Sequence, residues 1–381
     1  MHLSRLHRLR TALAQANLDG VAAIAGPNLY YLTGLTFHLS ERPTVGFFPL
    51  DGDPIIVAGN LEESKIRSHA PYPVRAFFYT DAAGPSAVCS HAARALLPSS
   101  LPSHGSAQAG PAWGLGVETR RMRVMELRLL EVAFPGLRIE PADDVFARLR
   151  MAKEQVEIAC MRQAAAIAER ALAATLPHIR IGVTEREVAA ELVVQTLRAG
   201  SDAELPFSPI VASGPNSGLP HATVTDRALQ PGDLLTLDWG AAAGGYFSDL
   251  TRTFALGDIR TELREIYELV KRANAAGQAA VRPGVTCASV DAAARKVVSD
   301  RGYGEFFMHR LGHGLGLEGH EEPSMHGKND LRLEAGMTFT VEPGIYLPGQ
   351  GGVRIEDDIV VTSDGGESLS TYPRDLHLVG A

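Results

Sequence analysis

Five residues in the second half of the chain have the types and spacing of a metal shell: Asp238, Asp249, His313, Glu342 and Glu356. Asp238 lies in the apolar run Leu234 to Trp239, and Asp249 in the strand-like run Tyr246 to Phe254. Gly244 and Gly245, between the two runs, tolerate the positive φ of a tight hairpin turn. A turn centred between Ala243 and Gly244 sets Asp238 opposite Asp249, and like charges so placed repel. A cation between them removes that penalty. The device recurs in Thr338 to Tyr346 (TFTVEPGIY) and Val353 to Val361 (VRIEDDIVV), joined by LPGQGG. A turn centred on Gly349 sets Glu342 opposite Glu356. Between the two hairpins, HRLGHGLGLEGHEEP carries His313 among glycines. The set suits two divalent cations. One imidazole among four carboxylates is a hard, oxygen-rich shell, so Mn(II) is expected first, with Co(II), Fe(II) or Zn(II) as alternatives.

A single Asp near a strand end is ordinarily a solvated edge residue; five candidate ligands on two mirrored hairpins and the segment between them favour the metal. Arg354 shares a strand face with Glu356, two residues on. Its planar fork of donors can orient carboxylates, the bland alternative being a surface salt bridge. Alternation turns Asp357 to the other face, and both it and Asp358 are expected in solvent. His309 and His313 are four apart, which on a helical turn would place them on one face as a ligand pair. His221 ends the loop GPNSGLPH and His320 lies in GHEEP. For each of these histidines a packed structural role is the alternative.

The ordered strings TLDWG, SDLTRT, GHGLGLEGHEEP, TVEPGIY and VRIEDD, spread over roughly Met151 to Thr371, resemble the pita-bread metallopeptidases. Within that family they most resemble the prolidase and aminopeptidase P branch, which acts on Xaa-Pro bonds. The resemblance implies that Asp238, Asp249, His313, Glu342 and Glu356 bind the metals and that His309 does not. It further implies Glu342, His320 and His221 as the catalytic set, with Glu342 relaying a proton and His320 facing the scissile carbonyl. His309, His221 and Arg354 are then the substrate-binding set. Thr251 would reach the water held by the metals, and Arg252 would be structural. Xaa-Pro dipeptide hydrolysis is the expected activity. The rivals are an aminopeptidase P acting on longer Xaa-Pro peptides and a creatinase-like, metal-free C–N hydrolase. In prolidases an Arg after HExP is expected near the dipeptide carboxylate, and that stretch here offers Lys328 and Arg332.

The elements that must position these residues divide in two. A chain of 381 residues favours two domains. The first half alternates helices with strands (Val21 to Ile24, Val45 to Leu50, Pro54 to Ala58, Val74 to Tyr79, Trp113 to Val117, Leu137 to Glu140), an α/β pattern. Asn28 to Gly34 is expected as a loop or strand entry, and the Ser-, Gly- and Pro-rich stretch 99–111 as a surface loop. The expected boundaries are a creatinase-like N-terminal α/β domain over 1–143, a linker over 144–150 and an α+β pita-bread catalytic domain over 151–381. In the last, a long helix covers Met151 to Leu176, and Thr184 to Glu187 is a capping box opening a second. Amphipathic helices cover about Thr261 to Ala280 and Thr286 to Arg301.

A formal net charge of −8 argues against nucleic acid or an anionic membrane as partner. The three cysteines lack CxxC spacing and read as small packing residues. There is no run long and apolar enough to span a membrane, and the amphipathic start lacks the core of a signal peptide. A cytoplasmic enzyme acting on small proline-containing peptides, and by resemblance a homodimer, is the expectation.

Overall fold

A computed structural model describes residues 2–96, 113–134 and 136–380, which form two compact units, 1–150 and 151–381. The stretch 99–111, expected as a surface loop, lies outside the described residues.

The first unit holds α1 (His2–Ala16), β1 (Gly20–Ile24), α2 (Pro27–Thr33), β2 (Val45–Pro49), β3 (Ile55–Gly59) and α3 (Glu63–His69). It continues with β4 (Arg75–Tyr79), α4 (Ser86–Leu96), β5 (Gly114–Val117), α5 (Val124–Ala133), β6 (Arg138–Pro141) and α6 (Asp143–Met151). The six strands make one mixed sheet in the order β4-β3-β2-β1-β5-β6. Both faces are covered: Ile24, Phe47 and Val57 pack on one side, and Ile56 and Ala58 pack with Ile66 on the other. That is why β1 to β3 read as continuous apolar runs rather than alternating ones. Two expectations are corrected. Asn28 to Gly34 is helical, because Pro27 presets φ in the first turn and Gly34 ends the helix in the left-handed region at φ 68°. Residues 144–150 are not a linker but most of α6, whose Val145, Phe146 and Leu149 are buried.

The second unit opens with α7 (Gln155–Thr175) and α8 (Glu185–Arg198). The long helix expected from Met151 begins four residues later. Glu154 caps it, and Glu157 returns a bond to the backbone of the cap. The capping box at Thr184 and Glu187 is formed as expected. Next come β7 (Ile210–Ser213), β8 (Leu234–Trp239), β9 (Ala242–Ala243), β10 (Tyr246–Phe247), β11 (Leu250–Leu256), α9 (Thr261–Ala280) and α10 (Cys287–Ser299). The unit ends with β12 (Gly312–Gly314), β13 (Glu321–Met325), β14 (Thr338–Val341), β15 (Gly344–Leu347), β16 (Gly351–Arg354), β17 (Asp357–Val361), β18 (Gly366–Ser368) and β19 (Leu378–Val379). Two larger sheets result, β19-β11-β8-β7 and β13-β12-β14-β17-β18. Helices α7 and α8 cover the first through Ala164, Ile167, Leu172 and Leu192, packed on Leu235, Leu237 and Phe254. The indole of Trp239 donates to the Ala168 carbonyl at 3.0 Å, tying β8 to α7. Helix α9 approaches the second sheet through Gly277, where an added Cβ would lie 3.0 Å from Val341. Among the described residues no helix is long and apolar enough to cross a membrane.

The second hairpin has the expected register. Gly344 pairs with Arg354 and Val341 with Asp357, so the turn centres on Gly349 at φ 71°. The first differs. Both Gly244 and Gly245 have positive φ (59° and 79°), so the turn centres between them and Thr251, not Asp249, stands opposite Asp238. The partner moves by two positions, which keeps it on the same face of the sheet. Asp238 and Asp249 therefore still point to one side, as diagonal neighbours.

Asp357 and Asp358 are fully buried, against expectation. Alternation does turn Asp357 away from Glu356, but α9 and the segment 370–374 cover that face. Its carboxylate accepts from Arg252 (2.8 Å), Arg374 (2.7 Å), Ser370 (2.5 Å), Gln278 (3.1 Å) and Asn274 (3.2 Å). Losing one partner of the Arg252–Asp357 pair would cost about 3–5 kcal/mol, because the other charge stays buried. Arg252 is structural, as expected. Asp358 accepts from the Asp249 backbone N–H at 3.0 Å and so fixes the segment that presents Asp249.

Candidate active site

The strands bring the five carboxylate and imidazole residues together within the second unit, all of them buried except the half-buried Glu342. The tight group is Asp249, His313 and Glu356, whose ligand atoms all lie within 4.8 Å of one another. Glu342 joins through His313, whose Nε2 lies 3.4 Å from Glu342 Oε1 and 3.6 Å from Asp249 Oδ2. Asp238 is buried on the same side of its sheet and is held by Arg354, whose Nη2 donates to Oδ2 at 2.5 Å.

A cation fits this set. His313 Nδ1 lies 3.1 Å from the Gly314 carbonyl, which can only accept, so Nδ1 carries the proton. Burial, and then the neighbouring His320, hold the imidazole well below its usual range, so it is neutral and Nε2 presents a lone pair to two carboxylate oxygens. Lone pair against carboxylate is repulsive without a positive charge between them. The buried oxygens Asp238 Oδ1 and Asp249 Oδ1 have no hydrogen-bond partner, and an orphaned buried carboxylate oxygen is costly. Burial pushes the Asp249 and Glu356 carboxyls well above their ordinary range and Glu342 up to about 7, with the neighbouring acids adding to each shift. Asp249, His313 and Glu356 are thus placed to share a cation, with Glu342 beside His313 and Asp238 on the same side.

Around this shell each group is oriented by a neighbour. Thr251 Oγ1 donates to Glu356 Oε2 at 2.6 Å rather than facing open space, and accepts from Arg354 Nε at 3.1 Å. Thr340 Oγ1 donates to Glu342 at 3.1 Å and accepts from the His313 N–H at 3.1 Å. Arg354 is 4 % exposed, and its nitrogens are engaged by Asp238, Thr251, Tyr346 and the Pro220 carbonyl. That geometry suits the carboxylate-orienting role that its planar fork allows. By holding Pro220 it also fixes the base of the loop that ends in His221, which is exposed. The other end of that loop is held by buried Glu185. Its carboxylate accepts from Ser213 N (2.7 Å), Asn216 Nδ2 (3.0 Å) and Thr225 N (3.1 Å).

The histidines differ in kind. The His320 ring lies 4.0 Å from that of His313 and is exposed on its outer side. Burial, then the charge of Arg310, lower its pKa, so it is a neutral donor. His309 has both ring nitrogens engaged. Nδ1 donates to the Arg310 carbonyl (2.7 Å), which leaves Nε2 to accept from the Tyr346 hydroxyl (2.9 Å). Tyr346 in turn accepts from Arg354 Nη1 at 2.9 Å, so one directed chain runs from Arg354 to His309. The T-shaped contact of His309 with Phe307 leaves its ring as an apolar wall. The residues not foreseen from sequence are Tyr346, Glu185 and Arg310. Tyr346 stands in the string TVEPGIY and was legible in position, though not in role.

Burial holds the His309 pKa at about 4 against an ordinary 6.5, with the charges of Arg354, Arg295 and His221 acting in the same direction. Between those values the unfolded chain binds more protons than the fold. Stability therefore rises with pH through the window and is lost as pH falls from about 6.5 to 4. Replacing His309 with Gln should flatten that dependence by up to about 3 kcal/mol. Urea denaturation of both proteins from pH 7.5 to 4 measures it, and equal slopes would refute it.

Comparison with known proteins agrees with this geometry. Residues 159–363 match the family described as metallopeptidase family M24, and residues 5–152 match the creatinase/prolidase N-terminal domain. The chain is 37 % identical over 382 residues to the probable dipeptidase PepE of Mycobacterium tuberculosis, covering 100 % of this chain and 97 % of the relative. Among solved structures, a dipeptidase from Pyrococcus horikoshii OT3 superposes with a TM-score of 0.90 at 38 % identity, over 98 % of this chain and 100 % of that one. A recombinant prolidase from Thermococcus sibiricus does so with a TM-score of 0.91 at 31 % identity, over 100 % and 99 %. The second unit is thus a pita-bread catalytic domain. With its creatinase/prolidase N-terminal domain, the chain belongs to metallopeptidase family M24.

Proposed function

We propose that this metallopeptidase hydrolyses Xaa-Pro dipeptides with two divalent cations, Mn(II) foremost, held by Asp238, Asp249, His313, Glu342 and Glu356. The observation that carries the reading is the buried group of Asp249, His313 and Glu356, with unpartnered oxygens on Asp238 and Asp249, flanked by the exposed His320 and the apolar ring of His309. The likeness to a dipeptidase and a prolidase supports the substrate class. Bound ions would supply Lewis acidity and a water acidic enough to ionise near neutral pH. The chain's own residues do the rest. Glu342 takes the proton of the attacking water and delivers it to the leaving nitrogen. His320 donates to the carbonyl oxygen as negative charge develops there. Arg354 and Thr251 hold Asp238 and Glu356 in place, His309 packs against the proline ring, and His221 lines the leaving-group side. A cytoplasmic homodimer completes the proposal, and light scattering tests the assembly.

The test is turnover by Mn(II)-loaded protein on Xaa-Pro dipeptides, Xaa-Pro-Yaa tripeptides and matched dipeptides without proline. Dipeptide cleavage with a proline preference is expected. Faster cleavage of the tripeptides would make the enzyme an aminopeptidase P, and full activity after exhaustive chelation would favour the metal-free hydrolase.

A further inference from the structure

We infer that the guanidinium of Arg310 docks the free α-carboxylate of the substrate and so restricts the enzyme to dipeptides. The inference rests on the peptidase reading above and names a residue that discriminates within it.

The geometry starts from the β12–β13 ladder, in which His313 stands opposite Ser324. Directly opposed residues in an antiparallel pair share a face, so the Ser324 hydroxyl and the His313 imidazole lie on the same side. Arg310 Nη1 donates to Ser324 Oγ at 3.1 Å, which anchors the guanidinium on the imidazole's side of the sheet. Arg310 is half-buried, and among the described residues no carboxylate pairs with it. The other inward arginines of this unit each have one: Arg227 with Asp233, Arg252 with Asp357, Arg295 with Asp291, Arg354 with Asp238.

A planar fork with unused donors matches a carboxylate. In a dipeptide that carboxylate lies three bonds from the scissile carbonyl carbon. In a longer peptide the same place holds a neutral amide. The rival cations are directed elsewhere: Arg332 is exposed and donates to the Gly284 carbonyl, and Lys328 is exposed. Neutral His309, with both nitrogens engaged, offers a carboxylate nothing.

The test compares a dipeptide with its C-terminal amide on wild-type, Arg310→Met and Arg310→Lys proteins of verified metal content. The wild type should favour the free acid in kcat/KM by on the order of 10–100-fold, the worth of a charge-assisted contact. In Arg310→Met that ratio should collapse towards one, chiefly through KM, and Arg310→Lys should restore part of it by charge without the fork. Equal losses on acid and amide in Arg310→Met would make the residue structural and overturn the inference, as would a wild type indifferent to the carboxylate. The measurement is made with both Xaa-Pro and a proline-free dipeptide. Failure of the proline preference alone therefore leaves the acid-to-amide ratio readable and separates the two proposals.

Discussion

Glu356→Ala and Asp249→Ala should each lose hydrolysis by on the order of 10³-fold or more while remaining folded. Both residues belong to the tight group with His313, and Lewis-acid and nucleophile activation by bound ions contributes several kcal/mol to the barrier. The fold should tolerate the change, because in the metal-free protein these carboxyls are mutually repulsive and held above their ordinary pKa range. Removing one relieves repulsion. It leaves only the Thr251 hydroxyl without its acceptor in Glu356→Ala, a loss of about 1–3 kcal/mol. Metal content by elemental analysis and thermal unfolding in chelator separate the two effects. Near-normal turnover with a full complement of metal in either variant would show that the dinuclear assignment is wrong.

How much of this was legible in the sequence depends on whether a residue's role is set locally. The second hairpin was legible because a turn centred on Gly349, which does take a positive φ, sets Glu342 against Glu356. The first was ambiguous because two adjacent glycines admit two turn centres, and only the even spacing of side chains kept Asp238 and Asp249 on one face. Asp357 shows the opposite limit. Its direction followed from alternation, but its burial is made by Asn274 and Gln278 of α9 and by Ser370 and Arg374, which no local pattern reveals. Glu185 is similar. In sequence it is one acid of a capping box; in the fold it satisfies the backbone of the loop leading to His221. Arg310 sits beside LGHG, where a lone arginine reads as a solvated charge until Ser324 is seen across the ladder. Such roles depend on partners distant in sequence.

The contrast between His320 and His309 shows what that positioning implies for catalysis. In His320→Ala, kcat and kcat/KM should both fall on the order of 10²–10³-fold, the usual loss for one oxyanion donor. The imidazole is neutral and lies against the ring of His313 with its outer edge exposed, where a bound carbonyl oxygen can meet its N–H. That oxygen becomes negative only as the attack proceeds, so the interaction is absent from the ground state and KM should change little. His309→Ala should act differently. Its nitrogens are committed to Arg310 and Tyr346, so the loss is of an apolar wall felt equally by substrate and transition state, raising KM several-fold with a smaller change in kcat. Metal content must be equal in both variants, since a displaced ion would imitate a catalytic defect. If His320→Ala retains its metals and turns over at the wild-type rate, the residue is structural and the oxyanion is stabilised without it.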